Sequence, residues 1–140
     1  MTALVIDASV AIKWVIDEPG TAHALALRQH RLGAPDLLVA ECANILWKKV
    51  RRGELSDQEA TTAAALLCGA DILLEPMSAL MEQAVQLALR LGHPAYDCFY
   101  LALAEVTDAP LVTADEALVR RVRLAGLPIA VRLLGEAPLG

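Results

Sequence analysis

The chain has 140 residues and a mass of 14.9 kDa, a size that suits one compact domain, expected to span 1–140. Hydrophobic residues make up 56 % of it and aromatic ones only 4 %, so the core should be aliphatic and helix-rich, with apolar surface left over for a partner. A net charge of −5 and a pI near 5.1 exclude a protein that coats nucleic acid through an overall positive field.

From the N-terminus, ALVID (3–7) reads as a strand ending on Asp7, followed by helices over 8–16 and 21–31. DLLV (36–39) is the second expected strand, and the helix over 40–52 has Glu41 in its first turn. Ser56-x-x-Glu59 has capping-box form and opens a helix over 57–68. DILLE (71–75) is the third strand, with helices over 79–91 and 94–107 behind it. PLVT (110–113) is the fourth strand, Thr113-x-x-Glu116 is a second capping box ahead of a helix over 114–125, and IAVRL (129–133) is the last strand. Gly53, Gly69, Gly92 and Gly126 fall where helices should stop, and Pro94 suits the first position of the helix it precedes. Short apolar runs alternating with longer helical ones argue for an α/β domain built on a parallel sheet.

In such a sheet, ligand sites gather at the C-terminal edge of the strands. Asp7 ends strand one, Glu41 opens the helix after strand two, and Asp115 follows strand four. The helix over 94–107 feeds strand four through a short loop. Fourteen helical residues rise roughly 21 Å, about a short strand's length, so its first turn returns Asp97 to the same edge. Taken singly, Asp7 and Asp97 have plain structural readings as a helix cap and a helix-dipole carboxylate, and Asp115 reads as a first-turn acid. Glu41 resists that: it is the one charged residue between Asp36 and Lys48, and a half-buried carboxylate must be paired or ligate a metal. Four acids on one edge repel unless a cation sits among them, which points to Mg²⁺ or Mn²⁺, one or two ions, at a site acting on phosphates.

Lys48, Lys49, Arg51 and Arg52 form the densest basic run, and Lys13 lies near the site in sequence; all five are candidates for binding the phosphate backbone of a nucleic-acid substrate. The competing reading is a solvated helix end whose cations favour the local dipole. Glu41 and Arg52 should lie roughly 17 Å apart along their helix, so that run would hold flanking phosphates rather than the one under attack. Arg120, Arg121 and Arg123 make a second basic run. Trp14 and Trp47 stand at helical spacing in apolar sequence and read as core or interface residues.

Cys42, Cys68 and Cys98 are an odd, widely spaced set in apolar helical sequence, as expected of reduced core thiols. His23, His30 and His93 share no metal-ligand spacing with them, which argues against structural zinc. No apolar stretch reaches the ~18–20 residues needed to cross a bilayer, and MTALVIDAS has no signal-peptide pattern. The expected location is the cytoplasm, with no membrane contact.

The stretches LVIDASVAIKWVIDEPG, PDLLVAECANILWKKVRRGEL, HPAYDCFYLALAE and PLVTADEAL together resemble the PIN-domain nucleases, specifically VapC-type toxins of toxin–antitoxin pairs. The resemblance covers essentially the whole chain, and AYDCFYLALA followed closely by LVTAD is its most specific part. It implies a five-stranded parallel sheet of order 3-2-1-4-5 flanked by about seven helices. It also implies a Mg²⁺- or Mn²⁺-dependent endoribonuclease that cuts tRNA or rRNA with metal-activated water, leaving 5′-phosphate and 3′-hydroxyl ends. Asp7, Glu41, Asp97 and Asp115 match its catalytic and metal-binding acids, and Ser9 and Thr113 match auxiliary hydroxyl positions; a helix cap is the other reading of each hydroxyl. The partners it implies are a second copy of the chain and a VapB-type antitoxin.

Other readings of acids at a sheet edge fit less well. A receiver domain needs a phosphoacceptor Asp after strand three and a Lys after the last strand, where this chain has Glu75-Pro76 and Arg132. An aspartyl phosphatase needs a second Asp two residues after Asp7, where Ser9 stands. A non-catalytic binding module on the same scaffold, or a DNA-directed nuclease of related fold, remains as the alternative.

Overall fold

A computed structural model describes residues 2–136. Five parallel strands form one sheet: β1 (Leu4–Ile6), β2 (Leu32–Pro35), β3 (Ile72–Glu75), β4 (Leu111–Thr113) and β5 (Val131–Leu133). Their spatial order is β3-β2-β1-β4-β5, as the resemblance to PIN-domain nucleases implies. Among the described residues seven α-helices surround it: α1 (Ala8–Ala11), α2 (Thr21–Ala26), α3 (Leu37–Arg51), α4 (Asp57–Cys68), α5 (Met81–Leu91), α6 (Ala95–Thr107) and α7 (Glu116–Leu124).

β1 lies at the centre and is buried along its whole length. α6 packs across β1, β2 and β4, and α5 covers α6. α3 sits against α1, α4 and β2, and α7 against β5. The buried side chains are chiefly Leu, Val, Ile and Ala, so this core gains its stability from aliphatic area at about 25 cal/mol per Å² rather than from aromatic anchors.

The second strand is not where the sequence places it. β2 is LGAP (32–35), and DLLV (36–39) is instead the N-cap residue Asp36 and the first turn of α3. Gly33 and Pro35 disguise the strand, since both are poor strand formers. Gly33 is there for space: a Cβ on it would stand 2.6 Å from Thr2 Oγ1. The leucines of DLLV are helical and buried, continuing down α3 at four-residue steps as Leu38, Cys42 and Leu46. Asp36 makes the turn, its carboxylate accepting from the Met77 N–H at 3.0 Å. Glu41 consequently occupies the second turn of α3, not the first.

The helices expected over 8–16 and 21–31 are shorter than their patterns: each α-helix tightens into a 3₁₀ turn, over Ile12–Trp14 and Leu27–Gln29. The Ser56–Glu59 capping box forms with both reciprocal bonds. The Thr113–Glu116 box does not, because Asp115 is the N-cap and accepts from the Leu118 N–H at 3.1 Å. Pro94 takes the N-cap position of α6, one residue before the position expected of it. Gly92 ends α5 in the left-handed conformation, as expected, whereas α6 ends on the left-handed Asp108 with no glycine to mark it.

Candidate active site

Asp7, Ser9, Glu41, Asp97 and Asp115 line one cleft of about 250 Å³ at the C-terminal edge of the sheet, with Asn44 and Lys48 on its wall. Each acid arrives from a different element. Asp7 sits between β1 and α1, Glu41 on α3, Asp97 in the first turn of α6 and Asp115 at the N-cap of α7.

Asp7 occupies the N-cap position of α1 but makes no side-chain cap bond. Its carboxylate, only 7 % exposed, accepts from Ser9 Oγ at one oxygen and Thr113 Oγ1 at the other, both at 2.5 Å. The two hydroxyls are themselves aimed. Ser9 Oγ accepts from the Ala114 N–H at 3.0 Å and Thr113 Oγ1 from the Asp115 N–H at 3.1 Å, leaving each O–H proton for Asp7. Neither hydroxyl caps a helix. Burial pushes the Asp7 pKa up, the two hydroxyl bonds pull it back, and the Asp97 charge raises it again, to about 6.

Glu41 is half-buried and accepts from Tyr100 Oη at 2.6 Å. Burial raises its pKa, the Tyr100 bond lowers it and the Asp97 charge raises it, with a net upward shift. Tyr100 is almost wholly buried on α6, one turn beyond Asp97. Burial and the Glu41 carboxylate drive the phenol's own pKa far up, so it is a permanent donor. Asp97 pairs with His93, whose Nε2 lies 2.6 Å from Oδ2. Asp115, the exposed member, spends one oxygen on its capping bond. The acids are thus coupled through Asp97, whose charge acts on both Asp7 and Glu41.

Three residues of this site escaped the sequence reading: Tyr100, His93 and Asn44. Each lies three or four residues from an acid, one helical turn, or one turn-length in the case of His93 ahead of α6. That spacing is the signal that could have found them. Two further expectations need correcting. Cys68 is exposed at the end of α4, so only Cys42 and Cys98 are core thiols; burial, reinforced by nearby carboxylates, pushes these up to about 12 and about 11. Trp47 is 55 % exposed with the Arg51 guanidinium 5.2 Å over its ring, which overturns the core half of its core-or-interface reading and leaves the interface half.

The donor set is one of hard oxygens, with no thiolate facing the cleft. It is open rather than closed: among the described residues, no three Asp, Glu, His or Cys side chains stand together so as to hold an ion. Each acid is instead turned toward its own protein partner.

A family model for the PIN domain matches residues 4–124. The chain belongs to the PIN-domain family. A similar protein is ribonuclease VapC3 of Pyrobaculum aerophilum, 34 % identical over 122 residues that span 84 % of this chain and 93 % of the relative. Among solved structures, PAE2754 from P. aerophilum superposes on this PIN domain with a TM-score of 0.67 at 25 % identity, covering 90 % of this chain and 98 % of the other. A member of the VapBC toxin–antitoxin family from Mycobacterium tuberculosis, VapBC-5, shares the fold with a TM-score of 0.53 at 16 % identity, over 94 % of this chain and 98 % of its own. All four acids of this PIN domain fall within the matched segment.

Proposed function

We propose that this protein is the ribonuclease toxin of a toxin–antitoxin pair, cutting RNA at the acid-lined cleft with one or two Mg²⁺ or Mn²⁺ ions. The observation that carries this is geometric: Asp7, Glu41, Asp97 and Asp115, from four separate elements, line one cleft at the sheet's C-terminal edge. Burial and the Asp97 charge both raise the Asp7 pKa, a stress that a bound cation would relieve. The names of its relatives, ribonuclease VapC3 above all, support RNA as the substrate.

The donor chemistry fits a hard divalent cation. Mg²⁺ commonly takes one or two carboxylates and keeps several waters, so an open set suffices. Asp7 and Asp97 would be the principal ligands, with Asp115 and Glu41 holding the ion or its waters. Such an ion supplies positive charge that favours attack of water on phosphorus and offsets charge on the phosphate oxygens.

The chain's own residues do the rest. Ser9 and Thr113 fix the Asp7 carboxylate, and Tyr100 fixes Glu41. Glu41, with its raised pKa, is suited to take the proton of the attacking water. A VapB-type antitoxin and a second copy of the chain are the proposed partners, and exposed apolar side chains such as Val39, Leu66 and Leu73 give them surface to cover.

The competing reading, a non-catalytic module, is favoured by one observation: every acid already has a partner within the protein. Cleavage of a mixed tRNA and rRNA pool by wild type and Asp97→Asn, with Mn²⁺ or EDTA, separates the two. Discrete fragments only from wild type with Mn²⁺ are expected. No cleavage, together with no Mn²⁺-induced rise in melting temperature, would replace the nuclease by the binding module.

A further inference from the structure

The acid cleft does not end at Lys48. That residue also lines a second cleft of about 330 Å³, shared with Ser9 and Ile45 and walled by Lys13, Lys49 and Arg52. The two are joined by one face of α3. At 100° per residue, Glu41, Asn44, Ile45, Lys48 and Arg52 fall on a single stripe, running from carboxylate to cation over about 17 Å. Arg51 is off that stripe and rests over Trp47.

The four cations of the second cleft are not equivalent. Glu18 reaches into it and accepts from Lys13 Nζ at 3.0 Å and from Lys49 Nζ at 3.1 Å, with the three side chains only 22 %, 12 % and 16 % exposed, respectively. Glu18 is held in place by its backbone. Its N–H donates to Thr21 Oγ1 at 3.0 Å and its carbonyl accepts from the Thr21 N–H at 3.1 Å. Lys48 and Arg52 make no ion pair among the described residues and are exposed. A carboxylate thus sits between the two ammoniums and offsets their charge.

We propose that the second cleft binds the RNA backbone beside the scissile phosphate through Lys48 and Arg52, while Glu18 withholds Lys13 and Lys49 from it. The substrate class rests on the ribonuclease reading; the subsite rests on the geometry of the cleft. Glu18 thereby limits the hold on flanking RNA, favouring release of product over tight, sequence-blind retention.

The test is the salt dependence of binding to a labelled single-stranded RNA oligonucleotide in EDTA, where no cleavage interferes. Each phosphate neutralised on a single strand contributes about 0.7 to the slope of log K against log salt. Lys48→Gln with Arg52→Gln should flatten the slope by about 1.4 and weaken binding roughly tenfold near 0.1 M salt. Glu18→Gln should do the opposite, steepening it by up to about 1.4 as two ammoniums are released. Arg51→Gln should leave the slope unchanged. An unaltered slope in the Lys48/Arg52 pair overturns the subsite. Weaker binding by Glu18→Gln, in a variant that melts like wild type, overturns the withholding role. Failure of wild type to cut RNA with Mn²⁺ while this order of slopes holds would retire the nuclease reading and keep the subsite.

Discussion

Tyr100 spends a buried hydroxyl on Glu41, and the bond acts on a titrating group as well as on its position. A hydrogen bond to a charged group is worth about 1.5–3 kcal/mol. Tyr100→Phe should therefore raise the Glu41 pKa further, cutting cleavage at neutral pH by roughly tenfold and moving the acid limb of the pH–rate profile upward. A uniform loss at every pH would mean that Tyr100 only packs. Asp7 makes a second prediction, through stability. Its pKa is about 6 in the fold against an ordinary 3.8, so the folded state holds this proton more tightly. The cost is absent below about pH 4 and grows as pH rises to about 6, reaching about 3 kcal/mol above it. In EDTA, wild type should lose roughly 5–10 °C of melting temperature relative to Asp7→Asn between about pH 4.5 and about pH 7. Parallel melting curves for the two proteins would show that burial of Asp7 carries no such strain.

At the scale of elements, the helix ends decide where the acids point. α7 is capped by Asp115 itself, so one candidate site residue also holds the helix that presents it. α4 shows the contrasting case, a capping box remote from the cleft. Ser56→Ala should cost about 1 kcal/mol and a few degrees of melting temperature while leaving RNA cleavage unchanged. A change in cleavage rate would mean that α4 communicates with the site. The displaced second strand has its lesson here too. LGAP carries no strand pattern because a strand buried on both faces has no alternation to show, and close approach to Thr2 requires a glycine. DLLV imitates a strand because four apolar-leaning residues cannot report their own period.

The whole molecule brings four carboxylates to one edge, where the Asp97 charge acts on Asp7 and Glu41, and the proposed cation would relieve that repulsion. Mn²⁺ should raise the melting temperature, by an amount equivalent to about 2.7 kcal/mol at a hundredfold excess over Kd. The rise should be larger at about pH 7.5 than at about pH 5, because protons on Asp7 compete with the ion. Equal rises at the two pH values, measured by thermal shift, would place any bound ion away from Asp7. The net charge of −5 falls into place at this scale: the acids are gathered where a cation would offset them, while Lys48 and Arg52 stand exposed on the adjoining stripe of α3.

The sequence by itself determined the parallel α/β class, the helix count and the four acids that line the cleft, and its resemblance to the PIN-domain nucleases supplied the sheet order. The class, the helices and the acids follow from signals carried along the chain: alternation of strand and helix, the gathering of ligand sites at the C-terminal edge of a parallel sheet, and a charged residue isolated in an apolar run. The tertiary structure alone decided that Ser9 and Thr113 both donate to Asp7, that Asp115 rather than Thr113 caps α7, that Tyr100 and His93 hold their acids, and that Glu18 claims two of the five candidate cations. The reason is physical. A side chain's hydrogen-bond partner depends on the direction in which it leaves its element and on what the other elements place opposite it. Ser9 and Thr113 are 104 residues apart in the chain and still share one carboxylate.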